Sequence, residues 1–420
     1  MVSLLKYKIN GGALYYAIIV ILLLSLFSSG FILLNRLWFH ENVLFLKNTE
    51  LNDNLDSADE WLKIQTGLVV PGETKALDLF GDSSIVTIDA EKWGLLRIIK
   101  SSARWRSLVI SRTALYSELN NERTALYLSD NNKFLSLVGK CVITGDCHLP
   151  SLGIRAGEMD GGTFIGKKMI DGKIYQSENA LPNLSPELLQ PWSGYWDKTF
   201  RTADSIVGIA DLTRNPLSSV SFSSDTKVID CGRNVFLQNV NLSGNIIVVA
   251  SDTITITQSA HLQDVLVFAN TIIVGNMVKG AFQLFARNKI SIGDSCIMRY
   301  PSFVVCYAKQ NIAKVTIGKN SIVSGGIIIN SVSDNPGSNR LEMSDGNKLS
   351  GTVYVNGEVG FAGRIDGTLY SNKFFIDTPR AYYENFLKDA IIDSQSIPAK
   401  FGSFAINNLP DKLKLIKLCL

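Results

Sequence analysis

The sequence predicts a mainly β protein: an N-terminal transmembrane helix extended by an amphipathic one, a small antiparallel β region, then a parallel β-solenoid. Three observations predict it. Residues 13–34, "ALYYAIIVILLLSLFSSGFILL", run for 22 residues without a charge. Between 245 and 317 one unit recurs four times: an apolar strand, a small residue, one to three polar residues and a second apolar strand. Between these regions short β-rich runs alternate with turn formers. In chain order this gives a basic leader at 1–12, a transmembrane helix at 13–34, a helical stalk at 35–66 and an antiparallel β region at 67–136. The solenoid follows at 137–376 with an insertion at about 180–215, then a C-terminal cap and tail at 377–420.

Composition narrows the function classes. The 420 residues suffice for two or three domains. A net charge of +3 is too small to argue for nucleic acid. Six cysteines and three histidines include no C-x-x-C pair, so zinc-type spacing is absent and no metal or cofactor is expected. Cys141 and Cys147 are close enough in sequence to bridge across a turn if the compartment is oxidising.

About 20 apolar residues span the bilayer hydrocarbon as a helix, so 13–34 is long enough to contact lipid throughout. Lys6 and Lys8 precede it and Arg36 follows. The positive-inside rule then puts the N-terminus in the cytoplasm and the bulk in the periplasm or outside the cell, as a single-pass inner-membrane protein. Tyr15, Tyr16 and Trp38 lie near the two interfaces. The rival is a cleaved secretory signal: Ser28-Ser29-Gly30 offers small residues, but the apolar segment continues past them. Leu44, Leu51, Leu55, Ala58 and Leu62 recur at helical spacing, which extends the helix to about Lys63.

A short basic leader, then Gly11-Gly12, then a hydrophobic helix continuing as an amphipathic one resembles type IV pilins and their minor-pilin and pseudopilin relatives. The resemblance covers about 55 residues. It implies processing at Gly11 or Gly12 and a place in a pilin-like assembly. The chain departs from major pilins, which carry a glutamate five residues into the mature chain. That position is Ala17 after cleavage at Gly12 and Tyr16 after cleavage at Gly11. A plain signal anchor is the other reading.

In the region 67–136, Gly81-Asp82-Ser83-Ser84 and Ser101-Ser102-Ala103 read as breaks between strands. "ALYLSDNNKFLSLVG" reads as a hairpin around Asp130-Asn131-Asn132. Strand alternation places Arg104 and Arg106 on a solvated face with Trp105 in the core behind them. Between 180 and 204, Pro182, Pro186 and Pro191 argue for a loop with a short helix at Pro186 to Gln190. Trp192, Tyr195 and Trp196 cluster there, either as ligand-contact aromatics for a glycan or protein or as buried rings pinning the loop.

The repeat units are "NIIVVASDTITI", "VLVFANTIIV", "AFQLFARNKISI" and "FVVCYAKQNIAKVTI". Ala250, Ala269, Ala286 and Ala308 hold the same place in each, at spacings of 19, 17 and 22 residues. Periods near 20 with tight corners mark a solenoid. Its strands pair with the coils on either side, so their inward side chains stack into an apolar column. Strands buried on both faces lose polar alternation, which fits runs such as "VLVFANTIIV". Asp252, Asn270 and Asn288 follow the alanines as turn formers. Earlier coils lie at "KCVITGDCHL" and "GTFIGKKMIDGKIYQS".

From about 220 to 376 this pattern resembles the β-helix superfamily, which includes pectate-lyase-like enzymes and bactofilin-type polymer-forming proteins. The resemblance implies a surface polysaccharide lyase or glycoside hydrolase, an envelope scaffold or adhesin, or a membrane-tethered cytoplasmic polymer. Enzymes of this kind need clustered carboxylates with an Arg or Lys. The candidates are Asp230, Asp252, Asp264 and Asp294 with Arg287 or Arg299, and they do not fall at matching places in successive coils. Only His261 lies in the region. We therefore expect a non-catalytic structural or adhesin-like envelope protein of bacterial type, with a protein or glycan partner on the solenoid. "TPRAYYENFLKDAIID" at 378–393 reads as a capping helix opened by Thr378 and Pro379. The tail "DKLKLIKLCL" is either an edge strand or an interfacial segment.

Overall fold

A computed structural model describes residues 11–64, 71–81, 83–119, 124–185, 188, 192–309, 312–331, 339–398, 401, 402, 404, 406 and 412–419. The expected short helix at Pro186 to Gln190 falls almost wholly outside them, as does the basic leader up to Asn10. The chain forms two compact units. One comprises the helix to Ala58 with Ala76–Thr87 and Ser102–Ser111; the other comprises Asp59–Lys75, Ile88–Ser101 and Arg112–Leu420.

Helix α1 (Gly11–Ile64) is continuous over 54 residues, about 80 Å at 1.5 Å per residue. It is the one helix among the described residues long and apolar enough to cross a membrane. Its side chains from Leu14 to Phe39 are largely exposed. From Leu51 onward one face is buried, through Leu51, Asn54, Leu55 and Ala58. Asn54 Nδ2 donates to Ser84 Oγ at 2.5 Å, so the one polar group on that face is satisfied.

Four strands, β1 (Thr74–Leu77), β2 (Ile85–Trp93), β3 (Leu96–Trp105) and β4 (Leu108–Leu119), form the small antiparallel sheet in that order. The tail is an edge strand here: Lys412–Cys419 runs antiparallel to β4. Two expectations change. Ser101-Ser102-Ala103 lie inside β3, and the chain reverses instead at Gly94 (φ +61) and Arg106 (φ +53). Because Arg106 occupies that turn, alternation stops before it. Trp105 is then half-buried under two cations, Arg106 at 4.7 Å and Lys47 Nζ at 5.2 Å from its ring centroid, and not in the core.

The remainder is a parallel β-solenoid of about 11 turns. The segments β5 (Thr124–Leu128) and β6 (Leu135–Val138) are not the expected hairpin. Leu126 is in register with Leu369 and Ser136 with Phe386, both pairings parallel, so Asp130-Asn131-Asn132 is a solenoid corner. Residues 378–393 are not a helix. Phe386–Lys388 and Ala390–Asp393 are strands that pair with β6 and with Val142–Thr144. Unpaired ladder edges on both sides outweigh local helix propensity there.

The order of the coils is the main finding about the fold. One ladder face starts at Ser205–Gly208 and passes through 227–230 and 246–249. It continues through 265–269, 283–286 and 303–306 to 326–329 and 352–355. The next register positions are 369–371, then 126–128, 147–149 and 174–176. The expected coils at 140–149 and 162–177 exist, but they stand beyond the C-terminal coils. Residues 178–204 are therefore no insertion between neighbours. They join the last coil to the first, crossing about 50 Å at 4.8 Å per strand spacing.

The strands carry two apolar columns. Val248, Val267, Leu284, Val304, Ile327, Val353, Leu369 and Leu126 point into the bore. Ile247, Leu266, Phe268, Phe285, Val305, Ile328, Tyr354, Tyr370 and Tyr127 point outward, under Trp93, Leu95, Leu115, Trp192, Trp196 and Phe404. This is why "VLVFA" has no polar face. Ala269 is in register with Ala286, but Ala286 faces Cys306 and not Ala308, because that unit carries two extra residues before its corner. Leu212 packs into the bore cluster at the first coil, and Phe164 and Met169 pack against it at the last.

Candidate functional site

A groove of about 780 Å³ opens on a different face of the solenoid. There the ladder reaches Arg340–Met343, paired to Lys314–Ile317, and a separate ladder resumes with Phe386–Lys388 on β6. Gly360, Phe361, Ala362 and Gly363 line the gap between them. A Cβ on Gly360 would stand 2.5 Å from the Phe375 ring, so glycine is what lets that ring approach.

Charges around the groove are held in pairs. The Arg340 guanidinium sits 3.8 Å from the centroid of Phe375. Its Nε is 2.9 Å from Glu342 Oε1 and its Nη2 is 3.9 Å from Asp377 Oδ2. Lys314 Nζ donates to the same Glu342 oxygen at 3.0 Å. Phe375 stacks on Tyr382, 6.1 Å between centroids and 3° from parallel. The Tyr382 hydroxyl donates to Glu358 at 3.0 Å, and Lys373 pairs with Glu358 at 2.7 Å. Burial, followed by the Glu358 hydrogen bond and charge, holds the Tyr382 phenol well above its usual range. It therefore stays a neutral donor. Paired carboxylates and cations beside aromatic rings supply directed hydrogen bonds over apolar surface, the makeup of an orienting ligand site.

None of the residues singled out in sequence lines this groove. Trp192, Tyr195 and Trp196 are buried, at 0%, 2% and 9% exposure, and so are not available as ligand-contact aromatics. Trp192 Nε1 donates to Gly94 O at 3.0 Å, Trp196 Nε1 to Phe285 O at 3.2 Å and the Tyr195 hydroxyl to Asp204 at 3.0 Å. Asp197 next to them pairs with Arg287 at 2.6 Å, and that hydrogen bond holds its carboxyl below the usual range. These contacts fasten the 178–204 crossing to the outer face.

The acidic candidates are dispersed. Asp230 pairs with Lys198 at 2.7 Å and Asp252 with Arg233 at 3.4 Å. Asp294 accepts the backbone N–H of Lys319 at 2.7 Å. Asp264 pairs with Lys417, and its carbonyl accepts from Trp93 Nε1 at 2.8 Å. The Arg299 carbonyl accepts from Ser302 Oγ at 2.5 Å, and His261 is exposed. Among the described residues no three metal-ligating side chains come together. Cys141 and Cys147 are not bridged; both are buried thiols, donating to Val138 O and Gly145 O. The groove was missed because its residues come from a stretch read as regular repeat and helix. Glycines at 357, 360 and 363, three residues apart within one stretch, were the available signal.

Compared with protein-family models, curated proteins and solved structures, the chain matches none.

Proposed function

We propose that the chain is a single-pass membrane protein whose solenoid lies outside the cytoplasm and serves as a structural, adhesin-like component of the cell envelope. The observation that carries this reading is the groove along Arg340, Glu342, Phe375 and Asp377, on a solenoid tied to an apolar helix. Vicinal hydroxyls suit paired carboxylate and guanidinium groups, and the C–H faces of sugar rings suit aromatic edges. An extended envelope glycan is therefore the ligand we assign to it. The bore is filled with side chains, so binding takes place on the side of the solenoid.

Co-sedimentation of the full-length, detergent-solubilised protein with insoluble envelope polysaccharide tests this. Binding should be lost in Arg340→Ala and Asp377→Ala. Retention by both would exclude the groove. Release of new reducing ends during the assay would favour a lyase or hydrolase instead. A pilin-like assembly is the narrower form of the same reading. It requires a mature N-terminus at Gly12 or Ala13, which mass spectrometry of native membranes reads directly; an intact Met1 would leave a plain anchor.

A further inference from the structure

The stalk half of α1 carries two seams on opposite faces. One is Leu51, Asn54, Leu55 and Ala58, buried within its own compact unit. The other is exposed. Phe31, Trp38 and Phe45 repeat every seven residues, at 73%, 67% and 70% exposure. Asn35, Asn42 and Thr49 fall between them at alternating steps of four and three residues and are exposed as well. Followed back towards Gly11, the same register passes through Leu14, Ala17, Ile21, Leu24 and Ser28. A seven-residue repeat is the period at which two helices wind about each other; here the aromatics hold one of its two core positions and Asn35, Asn42 and Thr49 the other. Phe31 lies in the apolar span 13–34 and Trp38 near its end, but Phe45 stands beyond both, and a large ring exposed to water on a helix is costly unless it is covered.

We propose that the exposed seam of α1 packs against the same seam of a second copy of this chain, as a parallel helix pair. Copies inserted in one membrane share an orientation, so a parallel pair sets each seam residue opposite itself. Asn35 then faces Asn35 and Asn42 faces Asn42, and each side-chain amide both donates and accepts. Buried asparagine at this heptad position selects two-stranded parallel pairs and their register. Glu41 flanks the seam opposite Leu46 of the other copy, so no like charges oppose each other between Phe31 and Asn52. The seam stops at Asp56, where two carboxylates would meet.

Phe39 and Leu46 flank the row at 68% and 65% exposure. With about 150–250 Å² available per aromatic, and roughly half of each side chain covered, the four rings and Leu46 bury on the order of 500 Å² per copy. That is the low end for a stable interface. The membrane portion of the same seam, with small Ala17 and Ser28, extends it by close helix approach.

Oxidative cross-linking of single-cysteine variants in native membranes tests the pair, in a Cys419→Ser background that leaves only buried native thiols. Asn35→Cys, Asn42→Cys and Thr49→Cys should give a band at twice the chain mass, and His40→Cys and Lys47→Cys on the opposite face should not. No such band, equal bands on both faces, or adducts with a different protein would each overturn the proposal. Because a cysteine could disturb the seam, Trp38→Ala/Phe45→Ala is measured in parallel by light scattering in detergent. The pair should be lost while the circular dichroism of the solenoid is unchanged. A pair that persists in that variant would also overturn the proposal.

Discussion

Phe268 and Phe285 lie face to face on adjacent coils, 4.7 Å between ring centroids and 9° from parallel, and both point away from the solenoid bore. Trp192 and Trp196 close over them, with Trp192 stacked on Phe268 at 6.0 Å and Trp196 edge-on to it at 5.4 Å. The crossing 178–204 is thus fastened partway along the ladder, at the coils of 265–269 and 283–286. Truncating Phe268 or Trp192 to alanine should each cost about 3–5 kcal/mol. Because both remove one contact, the double variant should cost less than the sum by about 0.5–3 kcal/mol. Denaturant unfolding of the solubilised protein reads this; strict additivity would show that the crossing is not held there.

At the end of α1, Asp59 accepts from Arg112 Nη1 at 2.9 Å and from the Tyr116 hydroxyl at 2.7 Å. Asp59→Ala removes a shared acceptor from a buried site and should destabilise by about 1–3 kcal/mol. Asp59→Asn, which keeps an oxygen, should cost less. Equal losses in the two variants would mean that charge alone matters.

Gly325, Gly351 and Gly367 stack at one corner of successive coils, with φ of +143°, +130° and +154°. A Cβ on Gly351 would stand 1.8 Å from Gly325 O, and one on Gly367 would stand 1.9 Å from Gly351 O. Gly351→Ala combines a backbone conformation worth about 1–3 kcal/mol of strain with a clash that only backbone movement relieves. It should lower the unfolding midpoint far more than Gly208→Ala, where a Cβ meets nothing within 4 Å. Similar midpoints would contradict the stacked corner.

Stability should fall on the alkaline side. Burial pushes the Cys147, Cys231 and Cys306 thiols and the Tyr354 phenol up to about 12, and lifts Tyr116 and Tyr195 further. The unfolded chain releases these protons from about pH 9 for thiols and pH 10 for phenols, while the folded chain retains them. Folding stability is therefore complete below about pH 9 and declines as pH rises towards the folded values. Unfolding midpoints measured from pH 7 to 11 should be level and then drop. A level profile to pH 11 would show these groups to be solvated.

The apolar run 13–34, the helical spacing through Leu62 and the small-residue corners at Ala250, Ala269 and Ala286 are local patterns. By themselves they determined the long helix, the solenoid class and the coils at 140–149 and 162–177. The absence of a polar face in "VLVFANTIIV" also announced burial on both sides. Only the tertiary structure decided what covers the outer side, which coil follows which, and where the groove opens. Leu126 continues the column above Leu369, yet nothing local distinguishes it from any other apolar strand residue that could fill that place. A parallel ladder accepts any coil with an apolar inward column and free backbone groups, so coil order rests on contacts hundreds of residues apart. The same holds for 378–393: its helical propensity is a local preference of tenths of a kcal/mol per residue. The open edges of β6 and Val142–Thr144 offer a full set of backbone hydrogen bonds, and those edges exist only once the solenoid has formed.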